Sequence, residues 1–483
     1  MYDRMQTLSQ EQMSKIHDAS MEILRDTGVA FNENEALEIF RKSGFKVEDK
    51  KVYFEESQVA KALQTAPETF AVAARNPSKS VVIGGDDVVF VPGYGSPFIA
   101  LPDGSQREAT MADYDNFCKL VQTSKHINMN GFMMVEPSDV PAATAHLDMV
   151  FSSIVLCDKP FMGSPVSKQG ARDSVEMAAI AWGGRDRFAA AGPVTVSLIN
   201  SLAPLQYSEE MAGSLIELAR ANQACVVASL MMAGSSAPVK LGGLLALQNA
   251  EILAGIVLSQ LVRPGAPVVY GSTSSAMDMK TGGLSIGCPE LSLVISATAQ
   301  IARFYKLPSR SGGGLTDAHI TDGQAGVEST VALSTAVRNG INFILHAAGI
   351  LGSYISMSFE KFILDEEVCG ILKKLITPIE ISDEAIDVST MKAIGIGGQY
   401  LTHPKTYRLC RSEFYITDLM SRANQAHWKA EGSRRIEEAA ADRLSQRLAA
   451  YEKPEIDPDM ENELSAYVTN RKAGKTGCAA KNA

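Results

Sequence analysis

What most constrains the fold of this chain is a repeat of texture. Short apolar runs fall at residues 127–135, 160–163, 193–199, 224–230, 266–270, 307–311 and 341–345. Helix-like segments lie between them, at 140–156, 170–182, 209–221, 241–261, 290–305 and 324–338. The apolar runs are too brief for helices and read as strands buried on both faces, the habit of parallel sheets. Strand and helix alternating at this pitch is the pattern of right-handed βαβ units. Seven units are legible, and the pattern calls for an eighth, closing strand beyond Gly349. No Gly-x-Gly-x-x-Gly follows the first strand, so a closed (β/α)8 TIM-type barrel is expected over an open doubly wound sheet.

The flanks differ in texture. Ser9-Gln-Glu-Gln12 forms a capping box ahead of a helix that Gly28 stops, and helices follow at 34–43 and after Ser57. Phe70-Ala-Val-Ala, Val81-Val-Ile and Val88-Val-Phe-Val, separated by Gly- and Pro-rich turns, read as small antiparallel strands. Helices are expected at 359–375 and 382–394, and a long polar helix at 417–452. The chain therefore divides into an N-terminal helical and small-strand extension (1–100), the barrel (101–400), a C-terminal helical segment (401–470) and a disordered tail (471–483).

Charge and cysteine usage exclude several classes of function. A net charge of −10 without clustered Lys and Arg in the body argues against nucleic acid. Seven scattered cysteines, with no Cys-x-x-Cys pair, fit reduced thiols and not a disulfide framework or zinc knuckle. The polar N-terminus has no signal-peptide core, and the apolar stretch near 252–262 falls short of a membrane span, so a cytoplasmic protein is expected.

In such a barrel the working face is the set of residues just after each strand. These are Glu136, Ser164, Asn200-Ser201, Met231-Met232, Gly271-Ser272, Gly312-Gly313-Gly314 and His346. No three form a closely spaced metal set, and neither Ser164 nor Ser272 sits in a nucleophile elbow that would pair it with His346. The glycine run either is a flexible loop or lets another molecule approach the backbone, and it lacks the Lys-Ser/Thr of a P-loop. Asp317, His319, Asp322 and Gln324 add a polar rim. His346 and Asn200 both donate hydrogen bonds and suit a small anionic group. Tyr94, in Pro92-Gly-Tyr-Gly95, is a hairpin tip or a ring presented into a cleft.

The segments IHDASMEILRDTGVAF, APETFAVAARNP, GYGSPFIALPDGSQREATMADYDNFCKL and GGGLTDAHITDGQAGVE resemble the trimethylamine methyltransferase family, and the likeness runs from about residue 8 to about 450. These are corrinoid-dependent methyltransferases built on a barrel. The chain has only standard residues and so resembles the non-pyrrolysine branch, which demethylates quaternary amines. The resemblance implies transfer of a methyl group from a quaternary amine, above all glycine betaine, to the Co(I) of a separate corrinoid protein, leaving a tertiary amine such as dimethylglycine. Other betaines (proline betaine, carnitine, γ-butyrobetaine) and a non-catalytic betaine-binding barrel stay open. It further implies that Tyr94 and Phe359 cage the trimethylammonium, that His346 and Asn200 hold the carboxylate, and that Gly312, Gly313, Gly314 and Asp317 face the corrinoid. His346 and Asp317 are the expected catalytic residues. No tightly bound cofactor and no metal are expected, since the corrinoid (a cobalamin) arrives on its own protein. Self-association into a homo-oligomer is expected from the apolar helices.

Overall fold

The computed structural model describes residues 4–474. Seven parallel strands form its centre: β1 (Val89–Phe90), β2 (Phe161–Met162), β3 (Thr195–Asn200), β4 (Ala224–Ser229), β5 (Val268–Ser272), β6 (Ser309–Gly312) and β7 (Phe343–Leu345). Their order is β1-β7-β6-β5-β4-β3-β2, every neighbouring pair parallel. Side chains alternate across this sheet, as strand geometry requires. Val196, Leu198, Val226, Ala228 and Val269 fill one core, while Ile199, Cys225, Val227, Val268 and Tyr270 join a second core with the surrounding helices. Full burial of each large aliphatic side chain is worth roughly 1.5–3 kcal/mol, so both faces of the strands favour the same closed arrangement.

The ring closes between β1 and β2, and not where the sequence pattern placed its last strand. The Asn128 N–H donates to the Phe90 carbonyl (2.8 Å), and the Phe90 N–H donates to Asn128 Oδ1 (3.0 Å). The Asn130 N–H then bonds the Pro160 carbonyl (2.8 Å), and the Met162 N–H bonds the Asn130 carbonyl (3.0 Å). Residues 127–131 are thus the remaining stave, made irregular because a side-chain amide takes over part of the ladder. Buried Lys159 secures its entry by donating to the Ser124 and Ile127 carbonyls (2.7 and 2.6 Å), and desolvation pushes its amine down to about 8.

The strand expected beyond Gly349 is therefore corrected. Ile350–Leu351 pairs instead with Ser356–Met357, which runs beside Phe98–Ala100 in a separate four-stranded sheet. The stave missing from the pattern is β1, read from sequence as part of the small antiparallel strands. Two residues held between a Gly-Gly-Asp-Asp turn and Pro92 look the same whether they join a hairpin or a barrel.

The helices of the N-terminal extension form as expected, beginning with the Ser9/Gln12 capping box of Gln10–Asp26. That helix packs on Leu241–Val262, with Ser20 Oγ donating to the Ala246 carbonyl at 2.9 Å. Leu241–Val262 is long and apolar enough to cross a membrane by length and composition, yet most of it is buried by this chain's own elements. Its polar residues Gln248, Asn249 and Glu251 are buried with it. The C-terminal helix expected over 417–452 is two helices, Gln425–Ala430 and Ile436–Ala449, parted where Gly432 and Ser433 adopt left-handed backbone (φ 93° and 52°). A further helix, Pro458–Lys472, was not evident in the sequence pattern, and it packs through Tyr467 and Arg471 on Asp173. Of the tail expected over 471–483, residues 475–483 lie outside the described residues.

Candidate active site at the barrel mouth

The register of the staves sets one layer at their C-terminal ends. Asn200 pairs with Ala228, Ala228 with Gly271, and Gly271 with Arg310. Partners in register share a face, so two polar residues flank two of the smallest ones. The crowding agrees: a Cβ on Gly271 would stand 2.9 Å from both Ala228 Cβ and Val226 Cγ1. The end of β3 is fixed from outside the barrel by the Glu251 carboxylate, which accepts from Ser201 Oγ, from Ser229 Oγ (2.9 Å) and from the Leu205 N–H (2.5 Å).

Arg310 dominates this layer. Its side chain is wholly buried, and its Nη1 donates to Thr273 Oγ1 (3.2 Å) while its Nη2 donates to His346 Nδ1 (3.4 Å). Its Nε has no partner, and among the described residues no carboxylate pairs with it. Burial pushes the guanidinium down to about 10, which leaves it cationic at neutral pH. An unpaired buried cation costs several kcal/mol. A fold that keeps one has an anion site in waiting.

His346 serves this cation. Its backbone is left-handed (φ 60°), which turns the ring inward directly after β7. A guanidinium only donates, so Nδ1 is the acceptor and the proton sits on Nε2, with the Tyr94 carbonyl as the ring's other partner. Desolvation first, then the Arg310 charge, hold the imidazole well below its usual range. Both ring nitrogens are thus occupied by the protein. His346 orients Arg310, a different task from donating directly to a ligand.

Aromatic rings complete the mouth. The Tyr94 ring lies 6.4 Å from that of His346 and 6.3 Å from that of Phe132, and the Tyr354 ring lies 4.8 Å from His346. Tyr354 has a left-handed backbone (φ 77°), a costly state for an aromatic residue, and its buried hydroxyl has no hydrogen-bond partner. Burial raises both tyrosine hydroxyls well above their usual range and keeps them neutral. Glu136, at the exposed edge, acts electrostatically on Tyr94, and its carboxyl is raised by partial desolvation. The mouth therefore runs from a cation at its floor to aromatic faces and a carboxyl at its opening. A surface cleft of about 600 Å³, lined by Arg75, Trp182 and Met460, lies along the seam with the C-terminal segment.

The family model described as trimethylamine methyltransferase (MTTB) matches residues 1–476. The chain belongs to that family. It is 48% identical over 464 residues to a glycine betaine methyltransferase of Desulfitobacterium hafniense (strain Y51), with 96% of each chain covered. A proline betaine:corrinoid methyltransferase of Eubacterium limosum is 33% identical over 481 residues, covering 95% of this chain and 96% of its own. Among solved structures, the monomethylamine methyltransferase MtmB of Methanosarcina barkeri superposes with a TM-score of 0.53 at 11% identity, covering 92% of this chain and 89% of its own, a likeness of fold. The chain is an enzyme, a methyltransferase of the trimethylamine methyltransferase family.

Within this methyltransferase the other residues singled out from sequence fall as follows. Asn200 ends β3 in the Arg310 layer, and Tyr94 and His346 stand together at the mouth. Phe359 opens the helix Phe359–Leu375, and its ring stacks on Phe117 at 4.3 Å and 14°. Gly312, Gly313 and Gly314 are buried, so a surface facing an incoming corrinoid is not what the structure makes of them. A Cβ would meet Leu315 Cδ1 at 2.4 Å from Gly312, Ile344 Cγ2 at 2.5 Å from Gly313 and the Ala347 carbonyl oxygen at 2.6 Å from Gly314. The run exists so that β6 and β7 can close on each other. Asp317 is fully engaged, accepting from Ser285 Oγ (2.7 Å), Ser353 Oγ (2.6 Å) and the N–H groups of Ile286 and Gly287 (2.8 and 3.0 Å). It staples two mouth loops together.

Sequence reasoning missed Arg310, Thr273, Phe132 and Tyr354. Arg310 carried a usable signal, because a charged residue inside a run read as a buried strand needs a reason. Tyr354 carried none. The mouth has a further feature that emerges only in three dimensions. Each loop after β2 to β7 bears an exposed large apolar side chain: Val166, Leu202, Val239, Met279, Ile320 and Ile355. Single exposed apolar residues are ordinary, but all six of these stand on loops at the same end of the barrel.

Proposed function

We propose that this enzyme removes a methyl group from glycine betaine and delivers it to a corrinoid carried by a separate protein that docks on the apolar rim. The observation that carries this reading is Arg310, a buried cation without a carboxylate partner at the floor of an aromatic mouth. A zwitterion with a carboxylate at one end and a quaternary ammonium at the other matches that polarity end for end. The names of the relatives, a glycine betaine methyltransferase and a proline betaine:corrinoid methyltransferase, support the substrate class and the acceptor.

In this reading Arg310 takes the carboxylate through charge-assisted hydrogen bonds, with Thr273 and His346 fixing its fork. Asn200 adds an amide from the far end of the same layer. Tyr94, Tyr354 and Phe132 present ring faces or edges to the trimethylammonium, where a desolvated cation–π contact is worth about 2 kcal/mol. Anchoring the carboxylate at the floor leaves the methyl groups directed toward the opening.

The leaving group is a neutral tertiary amine, so no proton has to be supplied. The site is built accordingly, since burial makes both tyrosine hydroxyls poorer acids than usual and keeps the imidazole from carrying a second proton. Positive charge on nitrogen is consumed as the methyl leaves, and a dry aromatic surround favours that change over the resting cation. When docked, the corrinoid supplies the nucleophilic cobalt. What the chain itself contributes is orientation, a term that reaches about 7–11 kcal/mol for well-aligned reactants. Gly312–Gly314 and Asp317 shape the mouth and contribute no contact to the corrinoid.

Purified protein incubated with glycine betaine and a reduced corrinoid is expected to form dimethylglycine, one molecule per corrinoid methylated. Absence of dimethylglycine while the corrinoid is demonstrably reduced would overturn the reading.

A further inference from the structure

Beyond Ile376, which still packs on the main core, the chain makes an excursion as far as Phe414 in which no side chain is buried. From residue 373 to residue 439 no residue is buried, although the segment is ordered into the helices Asp383–Ile386, Val388–Ile394 and Pro404–Glu413. Helices this short are not stable alone in water. The segment is held together by a few polar contacts: Lys405 Nζ with Asp387 Oδ2 (2.7 Å), Thr406 Oγ1 with the Tyr400 carbonyl (2.8 Å), and the Ser382 cap. More than half of the exposed large apolar side chains among the described residues lie in residues 375–416. Ile396, Ile379, Tyr407 and Leu401 are the extremes, the last three 85%, 83% and 82% exposed.

The excursion is displayed from fixed ends. Lys373 Nζ donates to the His126 carbonyl (3.2 Å) where the chain leaves, and the Tyr415 hydroxyl meets His126 Nε2 (3.4 Å) where it returns. His126 directly precedes the closing stave, so both anchors stand at the end of the barrel where strands enter. The substrate mouth and its apolar rim are at the opposite end. A partner docked on the rim leaves this second surface uncovered.

Charge identifies the occupant. The outgoing arm carries Glu380, Asp383 and Glu384, and the returning helix carries Arg408 and Arg411. None of these five has an ion pair among the described residues. Lys392 on the arm and Glu413 on the helix run against this trend, yet the arm stays net acidic and the helix net basic, and the two are self-complementary under a two-fold axis, where residue i of one copy meets residue j of the other and the reverse. Interfaces between identical subunits are also the more apolar class.

We propose that residues 376–416 form a two-fold interface with a second copy of this chain. Sedimentation velocity of the full chain at micromolar concentration reads this without substrate or corrinoid, so its failure is distinct from a failure of the betaine reading. The wild-type chain is expected to be at least dimeric. Leu401→Asp combined with Ile396→Asp is expected to weaken self-association at least about tenfold, with unchanged far-ultraviolet circular dichroism. Asp383→Lys with Glu384→Lys, and separately Arg408→Glu with Arg411→Glu, are each expected to give monomers, and mixing the two variants is expected to restore the dimer. A monomeric wild-type chain, or a dimer indifferent to all three variants, would overturn the proposal. So would a monomer whose variants lose only binding of the corrinoid protein.

Discussion

At the scale of single residues the molecule turns on one unpaired charge. Arg310 is buried without a carboxylate, so replacing it by an apolar side chain relieves a desolvation cost and removes the anchor for the ligand. Arg310→Met is therefore expected to melt at the same or a higher temperature than wild type without ligand. Its KM for glycine betaine should rise by roughly 10- to 150-fold, the equivalent of one charged hydrogen-bonding group at about 1.5–3 kcal/mol. A clear loss of apo stability with unchanged KM would make Arg310 structural. His346 gives a pH test. Its folded-state pKa lies below its unfolded one, so as pH falls through about 6.5 the unfolded chain takes up a proton that the folded chain refuses. The stability linked to this group is present above that pH and lost below it. The KM for glycine betaine is expected to stay flat from about pH 6 to 8, and a titration centred near 6.5 would show that the imidazole charges in the working site. Asn200 and His346 were legible in sequence because they fall at strand ends, and Tyr94 because it is the one aromatic in a Pro-Gly-Tyr-Gly turn. Tyr354 and Phe132 reach the mouth from stretches with no period to mark them.

At the scale of elements, the closing segment at 127–131, the staves β2 to β7 and the helices between them announce themselves as alternating apolar runs and helical segments, and the structure keeps them in place. β1 does not, because Val89–Phe90 between Gly- and Pro-rich turns reads equally as one strand of a small hairpin. The glycine run shows the same limit at closer range. Sequence shows that backbone is approached at Gly312–Gly314 but not by what, and the answer is this chain's own Ile344, Leu333 and Ala347. Gly314→Ala is expected to lower stability by roughly 1–3 kcal/mol, as overpacking does, while leaving the KM for the corrinoid protein unchanged in the folded fraction. Unchanged melting with weakened corrinoid transfer would return the run to the surface role expected from sequence.

At the scale of the whole molecule the two proposals fall at opposite ends of the barrel. The mouth gathers a charged floor, aromatic walls and an apolar rim, and the strand-entry end carries the exposed excursion. In the proposed reading the partner docks on the rim, at a distance from the substrate floor, which makes the two functions separable by mutation. Val239→Asp with Met279→Asp, two of the most exposed rim positions at 70% and 75%, is expected to raise the KM for the corrinoid protein about tenfold or more and leave glycine betaine affinity unaltered. Equal losses in both would place these residues in the substrate pocket. The most direct measurement is a crystal structure with glycine betaine bound. The expected result puts a carboxylate oxygen about 2.7–2.9 Å from an Arg310 nitrogen and the quaternary nitrogen within about 6 Å of the Tyr94 or Tyr354 ring centre. A carboxylate bound away from Arg310, or the trimethylammonium at the floor of the mouth, would contradict it.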